Sequence, residues 1–239
     1  MSFDVNFLGK ELTLSDECKY VLGATRDMQI YEMSLINIFY NEIKKTSKDT
    51  ILLDIGANTG AFCFLPLIDK TIKTYSFEPN PLTFEILEKN IKLNNLNENM
   101  FSFNLGVWSE NKFLDLKVPL DLTDSGLSTF GETPSKFIYD NKDGEYKTVK
   151  VECITIDDFV KNQNLSYVSA IKIDTEGSEL EIIKGGEKTL REFKPIILLE
   201  YFDGNTEQFG YKKEKIVEIL TEFGYTDFSM PTKSDIMVK

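Results

Sequence analysis

Two carboxylates at the ends of apolar runs, with a glycine turn between them, form the first chemistry-bearing pattern in the chain. Leu53-Asp54-Ile55-Gly56-Ala57-Asn58-Thr59-Gly60 closes one run, and Glu78 closes the next, 22 residues after Gly56. Glycines let the backbone turn tightly and approach a ligand, and a helix N-terminus behind such a turn favours anionic groups. An acid at the end of the following strand accepts two hydrogen bonds from a ribose diol and repels a 2′-phosphate. Together they describe a pocket for an adenosine-type ligand. The middle glycine of a dinucleotide fingerprint is replaced here by Asn58. Asp54 stands where a pyrophosphate gains nothing from a carboxylate, whereas a ligand carrying an ammonium and a sulfonium gains. The pattern favours S-adenosylmethionine over NAD.

A second group lies later in the chain. Lys172 and Asp174 are two apart on an apolar run and so share one face of a strand, and Glu200 ends the run after it. Methyl transfer to a hydroxyl is an in-line displacement that depends largely on positioning. The hydroxyl must also lose its proton to a carboxylate within hydrogen-bond reach. Asp174 is the expected base or acceptor-orienting group, with Lys172 and Glu200 tuning it. An equally weighted alternative makes Lys172 and an acid a buried ion pair that fixes the loop. Asp174, Glu176, Glu200 and Asp203 also offer hard oxygen ligands for Mg²⁺ or Ca²⁺. With 39 acids in the chain, solvated carboxylates and helix N-terminal charges are the commoner explanation, and no metal is expected.

Composition narrows the chemistry further. The chain has 239 residues, no histidine and a formal charge of −12. A Ser-His-Asp or Cys-His system and a His-ligated metal are therefore excluded. Cys18, Cys63 and Cys153 are too scattered for zinc spacing or a disulfide framework. With only Arg26 and Arg191 as arginines and a strongly acidic balance, a nucleic-acid partner is not expected. No apolar run approaches the ~20 residues of a membrane span, and no leader pattern opens the sequence, so a cytoplasmic protein is expected.

The elements that must position these residues read as alternating strands and helices. A β-prone start from Val5 to Leu14 precedes a helical pattern from Met28 to Lys45. Ile51 to Ile55 has the continuous apolar character of a strand buried on both faces. A short helix from Ala61 to Leu67 and a strand from Thr71 to Phe77 follow. Asn80 and Pro81 then mark a helix start, with Leu82, Ile86, Leu87 and Ile91 as its apolar face and Glu85–Lys89 as an i,i+4 pair. Phe101 to Val107 is a third strand. Lys112 to Val118 and Thr148 to Ile154 read as extra strands flanking a polar stretch, Asp121 to Tyr146, of a length typical of a binding loop or lid. Asp157 to Val160 suits a short helix. Strand Ser169–Asp174, helix Ser178–Phe193, strand Pro195–Tyr201 and helix Lys212–Phe223 resume the alternation. Tyr225–Met230 and Ile236–Lys239 suit a terminal antiparallel pair. The expected fold is α/β, a Rossmann-like doubly wound and mostly parallel sheet with an antiparallel C-terminal strand and a β-rich insertion after the third strand. One domain spans 1–239, with 1–50 as an N-terminal helical extension and 109–150 as an insertion suited to acceptor binding. Ligands of such sheets sit beyond the strands' carboxyl ends, where the strand order switches.

Three blocks in order also carry a family resemblance. Leu53 to Gly60, then Phe77-Glu78-Pro79-Asn80-Pro81, then Ile171-Lys172-Ile173-Asp174-Thr175-Glu176-Gly177 with Glu179 and Lys184-Gly185-Gly186, resemble the FkbM family of methyltransferases over about Tyr31 to Tyr201. The resemblance implies S-adenosylmethionine as donor and a hydroxyl acceptor on a sugar or another small molecule. It places Gly56, Ala57, Asn58 and Gly60 around the methionine portion and Glu78, followed by Pro79, on the ribose. Asp54 then orders the turn or reaches the ligand's ammonium through water. Asn104 is the candidate for the adenine edge, and Trp108 nearby is more simply read as core packing. Tyr31 and Glu32 resemble a pair preceding the first strand of the family. The Asp124–Thr129 stretch has hydroxyls suited to a polyol, and an ordinary flexible loop has the same composition. Competing readings are an NAD-dependent oxidoreductase and a non-catalytic adenosine-ligand protein. Acceptor identity and oligomeric state are not read from the sequence.

Overall fold

A computed structural model describes residues 2–19, 26–46, 49–120, 127–132 and 146–239. Side chains of 26–32 and residues 121–126 fall outside this set, so the readings of Tyr31, Glu32 and Asp124 to Gly126 do too. Strand β3 (Thr50–Ile55) is buried at every position and lies mid-sheet between β4 (Ile72–Phe77) and β9 (Ala170–Ile173), parallel to both. β5 (Met100–Phe103) flanks β4, and β10 (Ile196–Glu200) flanks β9. β12 (Asp235–Val238) runs antiparallel to β10 and to β11 (Phe228–Ser229). The sheet order is β11-β12-β10-β9-β3-β4-β5. The chain progresses one way from β3 and the other way from β9, so the order switches between them. The carboxyl ends of β3 and β9 therefore flank the crevice where ligands of such sheets bind.

Period-two alternation divides the core into two layers. Leu52, Ala170 and Leu198 face α1 (Arg26–Thr46) and α2 (Pro81–Leu93), with Phe39, Ile43, Leu87 and Ile91 in the same cluster. Leu53, Ile55, Ile171, Ile173 and Leu199 face the opposite layer. That layer holds α3 (Ile156–Asn162), α4 (Glu179–Lys184), α5 (Glu187–Phe193) and α7 (Glu214–Glu222). A short α6 (Asp203–Thr206) follows β10. The start of the chain is a hairpin, β1 (Ser2–Phe7) with β2 (Lys10–Ser15). It docks on α2 through Asn94, whose amide accepts from Thr13 N–H at 2.9 Å and donates to Thr13 O at 2.7 Å.

The insertion forms a separate three-stranded sheet in the order β6-β8-β7, from β6 (Gly106–Val107), β7 (Lys112–Pro119) and β8 (Tyr146–Ile154). Its own small cluster is Leu116, Val118 and Val151 with Phe130 and Val149 packed alongside.

Several local expectations are corrected. The turn after Gly60 becomes a 3₁₀ segment, Phe62–Leu67, containing Pro66, whose ring lacks the N–H that an α-helix interior needs. The run from Phe101 to Val107 divides into β5 and β6, which join different sheets. The helix from Ser178 to Phe193 divides at Gly185-Gly186, where a Cβ on Gly185 would lie 2.1 Å from the Trp108 carbonyl oxygen. Leu82 is exposed; Thr83, Leu87, Asn90 and Ile91 form the buried face of α2. Lys89 pairs with Glu17 at 2.8 Å. Among the described residues, no helix is long and apolar enough to cross a membrane.

Candidate active site

The glycine turn leaves β3 with Gly56 at φ +77°, Asn58 at +51° and Gly60 at +105°. At Gly56 a Cβ would sit 1.9 Å from the Asp174 carbonyl oxygen, so the positive φ and the close approach both require glycine. Gly56 N–H and Ala57 N–H donate to Phe77 O at 3.0 and 2.9 Å, tying the turn to the end of β4. Asn58, a residue that tolerates the left-handed region, accepts from Thr59 N–H at 2.8 Å.

Glu78 lies against this turn and is buried. Its Oε2 accepts from Asn58 N–H at 2.8 Å and its Oε1 from Asn80 N–H at 2.9 Å. Burial pushes its carboxyl up to about 7, against the pull of those two backbone donors. Each oxygen uses one lone pair on the backbone and keeps another for a ligand diol. Pro79 sits in the turn to α2, whose first turn is capped by Asn80 accepting from Leu82 N–H at 3.2 Å. Asn104 donates to Glu78 O at 2.8 Å and Pro79 O at 3.1 Å. Its amide therefore braces the strand end, and its carbonyl is the atom left for a ligand.

Beneath the turn lies an ionic cluster. The β3–β9 register sets Asp54 opposite Lys172. Asp54 is fully buried, and neither carboxylate oxygen has a hydrogen-bond partner. The Lys172 ammonium stands 3.6 Å from Asp54 Oδ1 and 3.6 Å from Asp174 Oδ2, and donates to Gly56 O at 2.9 Å. It also lies 5.3 Å from the Phe62 ring centroid. Burial raises the Asp54 carboxyl above its ordinary range, Lys172 opposes the rise, and Asp174 adds to it. Lys172 is thus shared between the glycine turn and two acids. Asp174, half-exposed, is the member of this cluster open to a reactant.

Beyond Asp174 the acids converge. Asp174, Glu176 and Glu200 carry carboxylate oxygens within 4.8 Å of one another. Asn205 Nδ2 donates to Glu176 Oε2 at 3.0 Å and Glu200 Oε2 at 2.9 Å. Burial, then Asp174, Glu176 and Glu179, push the Glu200 carboxyl well up. Asp203, grouped with these acids from sequence, faces elsewhere: it accepts from Lys213 N–H at 3.1 Å and lies 3.5 Å from the Lys213 ammonium.

Sequence reasoning missed two organising residues. Asn205, in a four-residue helix after β10, carried no motif. Glu179 entered the sequence reading within the third block of the resemblance, with no role in the site assigned to it. It is buried, and its Oε1 accepts from Thr175 N–H (3.1 Å), Thr175 Oγ1 (3.0 Å) and Gly177 N–H (3.2 Å). An acid two residues after the glycine of a strand-end turn was the available signal.

The insertion reaches both halves of this arrangement. Thr129 exchanges two backbone hydrogen bonds with Lys117, at 2.8 and 3.1 Å, and its Oγ1 donates to Glu176 O at 3.1 Å. Ser128 Oγ accepts from Asn80 Nδ2 at 3.5 Å. Trp108 is a packing residue, with ring centroids 5.6 Å from Phe130 and 6.2 Å from Phe209.

Comparison with known proteins gives a consistent picture. The family model described as the methyltransferase FkbM domain matches residues 54–226. The chain is 25% identical over 203 residues to the 2-O-methyltransferase NoeI of Sinorhizobium fredii, covering 80% of this chain and 79% of that protein. It is 23% identical over 156 residues to the hexuronic acid methyltransferase AglP of Haloferax volcanii, covering 65% of this chain and 58% of the relative. The crystal structure of methyltransferase FkbM from Methylobacillus flagellatus KT superposes with a TM-score of 0.51 at 15% identity, over 80% of this chain and 44% of that one. That likeness bears out the Rossmann-like α/β fold. The family match begins at Asp54 and takes in the glycine turn, Glu78, the Lys172–Asp174 pair and Glu200, and on that evidence the chain belongs to the FkbM methyltransferase family.

Proposed function

We propose that this methyltransferase uses S-adenosylmethionine to methylate a hydroxyl of a sugar-containing or other small hydroxylated acceptor. The observation that carries this reading is the joint at the switch point. There the Gly56 turn, with Glu78 at one side, is locked against the carbonyl of Asp174, the half-exposed acid at the other. The residues fit the donor. Glu78 has lone pairs for the ribose diol, the positive-φ turn allows close backbone approach, and Asn104 offers a carbonyl at the same rim. NoeI and AglP, named as a 2-O-methyltransferase and a hexuronic acid methyltransferase, support oxygen as the methylated atom and a sugar as the acceptor.

When bound, the donor supplies a methyl group on a positively charged sulfur. The chain's own part is to orient the acceptor and take up a proton. Asp174 Oδ accepts the proton of the acceptor hydroxyl. Lys172, 3.6 Å away, stands beside that carboxylate and holds the Gly56 carbonyl so that turn and acid stay in register. Burial, then Asp174, Glu176 and Glu179, push the Glu200 carboxyl well up, so Glu200 gives up its proton less readily than an ordinary glutamate. Asn205 fixes Glu200 and Glu176 together.

Calorimetric titration with S-adenosylhomocysteine, with NAD as control, tests the reading. Binding of S-adenosylhomocysteine alone, weakened at least tenfold by Glu78→Ala, is expected. Binding of NAD instead, or none, overturns it.

A further inference from the structure

Beside the acid array lies an open cleft of about 560 Å³, between the edge strand β7 and residues 208–209. That volume lies within the 300–1,000 Å³ range of small-molecule sites. Phe113, Phe130 and Phe209 give it aromatic walls. Phe113 is 61% exposed, the most exposed large apolar side chain among the described residues. Charged groups of both signs stand around the rings: Lys117 and Lys150, Asp115 and Glu132. Lys150 Nζ lies 5.6 Å from the Phe113 centroid, and Lys117 Nζ donates to Thr148 Oγ1 at 3.0 Å.

The walls of the cleft abut the turn after β9. Phe130 directly follows Thr129, whose hydroxyl donates to the Glu176 carbonyl. On the other wall, a Cβ at Gly177 would come 2.7 Å from Phe209 Cε2. Thr129 and Phe209 thus tie the cleft to the Glu176-Gly177 turn.

We propose that this cleft is the subsite for the non-reacting part of the acceptor, and that this part is a neutral saccharide chain. The inference rests on the methyltransferase reading and names the substrate class of the same site. Pyranose C–H faces lie against Phe113 and Phe130, while ring hydroxyls donate to Asp115 and Glu132 and accept from Lys117 and Lys150. A lipid or an apolar peptide would strip water from these four charged groups and offer them no polar partner of its own. A polyanion would meet two carboxylates, and a polycation two ammonium groups. A polyol satisfies all four. Binding energy gathered at this remove from the reacting hydroxyl is what orients it.

Trp108 is the only tryptophan of the chain and touches the two rings that line the inner wall, Phe130 and Phe209, so its emission reports on the cleft without turnover. The full chain is titrated first with S-adenosylhomocysteine and then with neutral tetrasaccharides of glucose, mannose and N-acetylglucosamine, alongside a glucuronic acid tetrasaccharide. At least one neutral probe is expected to change Trp108 emission saturably, with a dissociation constant of about 1 mM or tighter. Phe113→Ala, at an exposed position, should weaken that binding tenfold or more, Phe113→Tyr should retain it, and both should bind S-adenosylhomocysteine as the parent does. The proposal is overturned if no neutral probe alters the emission, if Phe113→Ala binds as the parent does, or if the glucuronic acid probe binds best. A failure of S-adenosylhomocysteine to bind would instead overturn the methyltransferase reading, and the saccharide titrations separate the two outcomes.

Discussion

Replacing Lys172 with methionine keeps most of the side-chain volume and removes one charge, which makes it a clean probe of the cluster beneath the glycine turn. The ammonium donates to Gly56 O at 2.9 Å and lies 3.6 Å from the fully buried Asp54. A hydrogen bond from a charged donor contributes about 1.5–3 kcal/mol, and breaking a buried pair by removing one partner costs about 3–5 kcal/mol. The Asp54–Lys172 contact is longer than a direct hydrogen bond, so a loss of about 3 kcal/mol at pH 7 is expected. For a chain of this size that corresponds to a fall in melting temperature of about 6–12 °C. The pH dependence has a definite sign. Burial already holds the Asp54 carboxyl above its ordinary range while Lys172 opposes the rise, so the variant raises it further. An unfolded aspartate ionises near about 3.9. Above that pH the folded variant keeps a proton that the unfolded chain has lost, and stability falls as pH rises. The deficit should therefore be smallest near pH 4 and grow toward neutrality. Urea denaturation at several pH values measures it. Adding Asp54→Asn to Lys172→Met should recover at least about 1 kcal/mol relative to the sum of the single losses. A Lys172→Met cost below about 0.5 kcal/mol, or strict additivity of the two changes, would refute the account of Lys172 as the buried counter-ion of the turn.

Two further outcomes bear on the site itself. Asp174→Asn should abolish turnover while calorimetry finds S-adenosylhomocysteine affinity within about threefold of the parent, because the changed atom faces the acceptor side; near-normal turnover would remove Asp174 from the chemistry. Glu78, with its carboxyl raised to about 7, accepts hydrogen bonds from a diol best when ionised, so S-adenosylhomocysteine affinity should rise between pH 6 and 8, and Glu78→Gln should flatten that profile. The same raised carboxyl makes the unliganded protein lose stability as pH climbs from about 4.5 toward 7, a slope that Glu78→Gln should also reduce.

The sheet was legible because strands such as β3 and β10 are mostly apolar, with β-branched residues among them, and its helices carry caps such as Asn80-Pro81. Asp54, Glu78, Lys172 and Asp174 could be named because they stand at strand ends, and strand ends meet at the switch point. What the sequence hid depends on contacts between distant backbones. The break at Gly185-Gly186 exists because the chain passes close to the carbonyl of Trp108, 77 residues earlier. The division of the third strand reflects partners: β5 pairs with β4, whereas Gly106 and Val107 pair with β8. Asn205 bridges two acids only because α6 folds back over the end of β10. Asp203 was grouped with the acids by proximity in sequence, and Lys213 draws it away.

The insertion has a small apolar cluster of its own, Leu116, Val118 and Val151, and joins the central unit through Val107 in the main core, the Trp108–Phe209 contact and the polar contacts of Ser128 and Thr129. Its exposed face, with Phe113, Asp115 and Lys150, can be rewritten residue by residue without disturbing the layers that hold the glycine turn. Substitutions on the outward face of β7 and β8 escape the steric veto that governs Gly56. On the reading proposed above, a lineage that preserves the donor half and varies this outer face would acquire new acceptors while the core layers stay as they are.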